Sequence, residues 1–285
     1  SEGSMTNFKE FAGDKVIVMA APNGARRGHA EHKALPMTAQ ESADDAASLL
    51  ESGVSVLHLH VRDDAGAHSL DADRYRVAIA AVRKKVGDEL VIQVTTEAVG
   101  IYSSEQQIDL VRQLRPEAVS LALREICPAG HDERAAADLF AWMRKESVWP
   151  QYILYSVDDI VRFDDLRQRG VFADDAPFVM FVLGKYGSAE PGSKQDLDVM
   201  LAGTDHTAYP WATCCFGPNE NEVMLAATAT GGHVRLGFEN NLHLPDGSLA
   251  ADNAALIRQF VADSASLGRM PARANAIREA FHARP

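Results

Sequence analysis

Short apolar runs rich in β-branched residues recur along the chain and alternate with longer stretches whose apolar positions return every three or four residues. The short runs predict strands over residues 15–21, 54–61, 90–95, 118–121, 149–155, 178–183, 211–216 and 233–237. The longer stretches predict helices over 38–52, 73–86, 104–114, 132–145, 157–169, 194–201, 219–230 and 252–267. In "MTAQESADDAASLLESG", Thr38 and Glu41 form a capping box and Gly53 stands just past the helix end. Eight strand-then-helix alternations within about 250 residues are the pattern of an α/β fold, the (β/α)8 TIM barrel. The alternative is an open doubly wound sheet, but "AAPNGARRG" after the first strand lacks the G-x-G-x-x-G spacing of a dinucleotide fold.

No stretch reads as a linker, so residues 5–285 are expected to form a single catalytic domain that ends in a helical extension, with residues 1–4 an expression remnant. The formal net charge of -12 speaks against a nucleic-acid surface, which needs clustered Lys and Arg. No apolar run approaches the roughly 20 residues of a membrane span. The three cysteines, Cys127, Cys214 and Cys215, show no paired spacing, which suits a reducing, cytoplasmic setting. A small-molecule or acyl-carrier substrate fits this balance.

The chemistry concentrates in "VSVLHLHVRDD", residues 54–64. Alternate side chains on a strand share a face, so His58 and His60 point the same way at the end of the second strand. In a barrel that end is the mouth, where active sites are built. "GGHVRLGFENN" closes the eighth strand, which flanks the first in a closed barrel, so Glu239 can approach both histidines. Two imidazoles and one carboxylate with an open position read as a catalytic zinc site, though such ligands also accept manganese, iron, cobalt or nickel.

Together "HLHVRDD", "VIQVTTEAVG", "FVLG" and "GGHVRLGFENN" resemble the β-keto acid cleavage enzymes, the family named for 3-keto-5-aminohexanoate cleavage enzyme. The resemblance runs from about Val16 to past Asn253, with the motifs in the family's order. It implies a zinc-dependent barrel, a homotetramer, that converts a β-keto acid and acetyl-CoA into acetoacetate and a new acyl-CoA. It implies zinc on His58, His60 and Glu239, Arg235 as the active-site arginine, and Thr95 and Ser120 as the hydroxyls that hold the substrate's carboxylate and keto end.

The chain departs from that pattern in informative places. Asn240 stands where the namesake has a proposed base, and an amide cannot accept a proton at neutral pH, which turns attention to Glu97 and Glu125 just past barrel strands. Arg26 replaces a glutamate that holds the namesake's ammonium group, so an anionic or neutral tail is expected, as in a β-keto diacid. Ala122 replaces an asparagine, with Arg124 beyond it, and Glu97 replaces a glycine. Lys185, Arg26 and Arg27 are candidate CoA contacts. Two rivals remain: an amidohydrolase-type metal hydrolase, and a barrel that binds a metabolite without turning it over.

Overall fold

The computed structural model describes residues 7–285; the expected remnant at residues 1–4 lies outside them. Eight parallel strands close into a barrel: β1 (Val18–Ala20), β2 (Val56–Leu59), β3 (Val91–Thr95), β4 (Ala118–Ala122), β5 (Trp149–Leu154), β6 (Phe178–Leu183), β7 (Trp211–Cys215) and β8 (His233–Leu236). They follow chain order around the barrel, and β8 pairs with β1, as the alternation predicted. The outer helices are α1 (Ala39–Ser52), α2 (Ala72–Val86), α3 (Ser104–Leu114), α4 (Arg134–Lys145), α5 (Val157–Gln168), α6 (Lys194–Ala202), α7 (Glu220–Ala229) and α8 (Asn253–Ser264). No described helix is long and apolar enough to cross a membrane.

Strand alternation sorts the side chains into two layers. Leu57, Leu59, Ile92, Val94, Val119 and Leu121 face outward and pack against the helices in one large buried cluster. Inward-facing Ile17, Met19, Val56, Val91, Ala118 and Met180 fill the lower interior. Above them the interior turns polar, because the register sets His58 beside Gln93, Thr95 beside Ser120, and Ser120 beside Gln151.

Several element ends differ from the periodicity reading, each for a local reason. The first strand breaks at Ile17, whose N–H is taken by His233 Nδ1 at 2.9 Å; Lys15–Val16 pairs instead with Met270–Pro271 outside the barrel. The second leaves the barrel after Leu59, and Val61–Arg62 folds back on His68–Ser69 as a hairpin. The fifth stops at Leu154 because the Tyr155 N–H is drawn to Asp159 Oδ2 at 2.7 Å. The last helix passes into a 3-10 turn over Ala265–Leu267. Short helices over Phe8–Asp14, Leu123–Ile126 and Ala274–Phe281 were not anticipated as separate elements.

Two of these helices close the barrel floor. Phe281 stacks on Trp149 with ring centres 5.0 Å apart and meets Phe11 and Phe178 edge-on. The "WATCCF" segment is likewise core, with Trp211, Cys214 and Cys215 buried.

Candidate active site

The mouth holds a cavity of about 330 Å³ lined by residues from the loops after β1, β3, β4, β6 and β8. His58 ends β2 pointing inward, and His60 follows where the chain turns out of the barrel, its carbonyl held by Asn23 Nδ2 at 2.9 Å. Glu239 arrives on the loop after β8. That loop begins at Gly237, whose φ of +142° and 2.3 Å clearance to Ala21 O for any Cβ admit only glycine. Gly24 has the same part on the facing loop, since a Cβ there would lie 2.6 Å from Glu239 Cγ.

His58, His60 and Glu239 bring one ligand atom each within 4.8 Å of one another. The two Nε2 atoms are 3.1 Å apart, and Glu239 Oε1 lies 2.7 Å from His60 Nε2 and 3.7 Å from His58 Nε2. Both Nδ1 atoms are turned away and engaged, His58 with Gln93 Oε1 at 2.7 Å and His60 with His68 Nδ1 at 3.4 Å. Glu239 Oε1, 2.7 Å from His60 Nε2, is a buried oxygen with no hydrogen-bond partner among the described residues. Two imidazole nitrogens and a carboxylate oxygen gathered on one point are a donor set that fits a cation.

The electrostatics agree. Burial, and then the nearby Arg235 charge, pushes the His58 imidazole down to about 3, so it stays neutral and ligand-ready. Burial alone would raise the Glu239 carboxyl, but the Arg235 guanidinium holds it well below the usual range. Arg235 donates to Glu239 Oε2 at 2.6 Å, while its Nε has no partner. All its hydrogen bonds come from Nη2, so Nη1 and Nε keep donors free beside the cavity.

The remaining expected residues divide by position. Thr95, Ser120, Glu97, Glu125, Arg26, Ala122, Arg124 and Lys185 line the cavity with Arg235. Ser120 Oγ is fully buried and unpartnered, whereas Thr95 Oγ1 accepts the Glu97 N–H at 3.1 Å. Glu97 has one oxygen 3.9 Å from His60 Nδ1 and the other 3.7 Å from Arg26 Nη2. Burial raises its carboxyl, against the pull of His60 and Arg26. Burial also raises Glu125, whose Oε1 accepts from Ala98 N and Gln107 Nε2. Arg124 is paired with Asp159 and lies over the Tyr155 ring, so it is a wall and not a free charge.

Asn240 does not reach the cavity lining. It is fully buried behind Arg235, its Oδ1 accepting from Arg235 Nη2 at 3.4 Å and its Nδ2 facing Cys214 Sγ. Its amide faces the arginine and not the cavity.

Some supporting residues escaped the sequence reading. Arg62 gives its donors to the carbonyls of Gly24 at 2.7 Å and Arg27 at 2.8 Å, pinning the loop that carries Arg26. Asn253, at the start of α8, ties Pro22 O to Phe238 N and so joins the loops after β1 and β8. Glu220 accepts from Gly237 N and Asn241 Nδ2, with burial pushing its carboxyl up to about 8. The available signal was a polar residue set among apolar ones, as Gln93 is in "VIQVTT".

The family model described as beta-keto acid cleavage enzyme matches residues 15–282. The chain belongs to the β-keto acid cleavage enzyme family. It is therefore an enzyme of that family. Among its relatives is the 3-keto-5-aminohexanoate cleavage enzyme of Fusobacterium nucleatum subsp. nucleatum, 30% identical across 90% of this chain and 93% of that one. Another is the 3-oxoadipate:acetyl-CoA acetyltransferase of Cupriavidus necator, 26% identical across 89% of both. Among solved structures, ObcA with a C4-CoA adduct and oxalate shares the fold, with a TM-score of 0.69 at 14% identity over 87% of this chain and 67% of that one.

Proposed function

We propose that this family member transfers the carboxymethyl unit of a β-keto acid to acetyl-CoA, giving acetoacetate and a new acyl-CoA, with zinc held by His58, His60 and Glu239. The observation that carries this reading is the convergence of those three ligand atoms beside Arg235 in the mouth cavity. A divalent metal bound there supplies Lewis-acid charge to the substrate's keto and carboxylate oxygens.

The chain's own groups carry the rest. Ser120 Oγ and Thr95 Oγ1 orient the keto acid, and the free donors of Arg235 face the negative charge that develops as an enolate forms. Glu97 takes the part of the base that Asn240 cannot supply: it removes a proton from the carbon between the two carbonyls and later returns one there. That carbon attacks the acetyl thioester and releases the CoA thiolate. The thiolate attacks the original keto carbon, and the bond between the two fragments breaks. Arg26, half exposed at the rim, pairs with a carboxylate tail, which favours a β-keto diacid. Arg27 and Lys185 are the candidate CoA contacts. Residues 5–285 act as one catalytic domain in a cytoplasmic homotetramer, following the family resemblance.

Incubating the purified protein with acetyl-CoA and a panel of β-keto acids tests this. Acetoacetate that requires acetyl-CoA supports it; keto acid loss without acetyl-CoA points to hydrolysis, and binding without turnover points to the silent barrel that Asn240 suggests. For the base, Glu97→Gln is expected to lower kcat at least about 100-fold while zinc still binds. Unchanged kcat would move that part to Glu125.

A further inference from the structure

We propose that Gln93, Gln151 and His68 are positioning residues that fix the ring protons of His58 and His60 on Nδ1, holding both Nε2 lone pairs open to a divalent cation. This rests on the metal-site reading above.

The proton positions follow from two atoms that can only accept. The first is the Glu97 carbonyl oxygen, 2.8 Å from His68 Nε2. That nitrogen must carry the hydrogen, and a neutral imidazole has only one. His68 Nδ1 is then bare and accepts from His60 Nδ1 at 3.4 Å. The His60 proton therefore lies on Nδ1, and its Nε2 is free.

The second is the thioether of Met19, deep in the barrel. Gln151 Nε2 faces it at 3.6 Å, so Gln151 turns its oxygen to Gln93 Nε2 at 3.2 Å. Gln93 in turn offers Oε1 to His58 Nδ1 at 2.7 Å, which must donate. Both chains run from an acceptor-only end to a bare Nε2, and the two bare atoms stand 3.1 Å apart.

The arrangement opposes a tempting alternative. Glu239 Oε1 lies 2.7 Å from His60 Nε2 and would welcome a proton there. A site that settled into that bond would have to break it before a cation entered. His68, on the hairpin beside the barrel, holds the proton on the far side. The two glutamines have no other evident reason to be in this interior: both are buried above Met19, Val56, Val91 and Ala118, where a polar pair carries a desolvation cost. Partners of this kind orient metal-bound histidines and raise their basicity, and losing one weakens metal binding about 10–100-fold.

The test uses the full chain in two measurements. Long-range proton–nitrogen NMR of the metal-free protein reads which ring nitrogens are protonated, and chelator competition reads zinc affinity. The expected wild-type result is Nδ1–H on both rings. His68→Leu should move the His60 proton to Nε2 and weaken zinc about 10–100-fold, and Gln93→Met should do the same through His58. His68→Gln, whose amide can both accept from His60 and donate to Glu97, should return affinity to within a few-fold of wild type, as should Gln93→Glu. Melting curves of the same proteins separate misfolding from a local effect. Nε2–H on either ring of the wild type, or wild-type zinc affinity in both His68→Leu and Gln93→Met, overturns the inference. Absence of zinc binding by the wild type overturns the metal reading instead, and the NMR result still decides the proton positions.

Discussion

At the floor of the barrel Glu117 is enclosed by two arginines, accepting from Arg83 Nη2 at 2.9 Å and from Arg278 at 2.7 and 3.0 Å. At the mouth Glu239 is nearly as enclosed, yet only Oε2 has a donor and Oε1 has none. Around it Arg235 Nε, Ser120 Oγ and Asn23 Oδ1 are also buried without partners. Arg269 repeats the floor's pattern, giving its donors to the carbonyls of Lys15, Thr228 and Gly232. Both ends remove charge from water, and only one leaves it incompletely satisfied. Unpaired buried groups are costly, and the four that border this one cavity are those a bound reactant or cation would complete.

Substitutions at each end should separate these two uses of buried charge. Glu117→Leu strands two partly buried guanidiniums and is expected to lower stability by about 3 kcal/mol. The folded fraction should keep wild-type kcat, because Glu117 is at the far end from the cavity. Denaturant melts with activity per folded molecule check this, and a loss of kcat would erase the division between the ends.

At the mouth, Arg26→Glu should do the opposite. Stability stays within about 0.5 kcal/mol, as for an exposed side chain. The kcat/KM for a β-keto diacid should fall about 10–100-fold, the worth of a charged hydrogen-bonded pair, while a keto acid with an ammonium tail gains. Equal rates for both tails in the two proteins would remove Arg26 from substrate selection.

A pH dependence tests the boundary between the ends. Glu220 lies behind the Glu239 loop, and burial raises its carboxyl from the ordinary 4.5 to about 8. Between those values the unfolded chain has lost this proton and the folded chain keeps it. Its contribution to stability is therefore present below about 4.5 and is lost as pH rises towards about 8. The decline approaches about 1.4 kcal/mol per pH unit. Glu220→Gln should remove it, which denaturant melts at pH 5, 6 and 7, roughly, would reveal; parallel slopes in both proteins would contradict it.

The barrel and its metal-type triad were legible because both rest on short-range rules. Strand alternation put His58 and His60 on related faces, and closure brought β8 beside β1, so Glu239 had to arrive nearby. What lay hidden depends on pairs far apart in sequence. Nothing near His68 says that it meets His60, because the hairpin that brings them together departs from the barrel only after Leu59. Gln93 and Gln151 are 58 residues apart and meet across the barrel interior. Asn240 stands where the resemblance places a base, but an amide cannot accept a proton, and the loop turns its side chain behind Arg235. Neighbours in sequence on a loop, unlike alternate residues on a strand, carry no rule for where they point.

The incomplete set at the mouth is proposed to be a metal centre made by His58, His60 and Glu239. Elemental analysis of the wild type and the His58→Ala, His60→Ala double variant, each stripped and reloaded with zinc, tests it most directly. The account predicts about one zinc per wild-type chain and none in a double variant that remains folded, as expected for a three-ligand site that loses two ligands. Equal zinc in both proteins, or none in either, would contradict it.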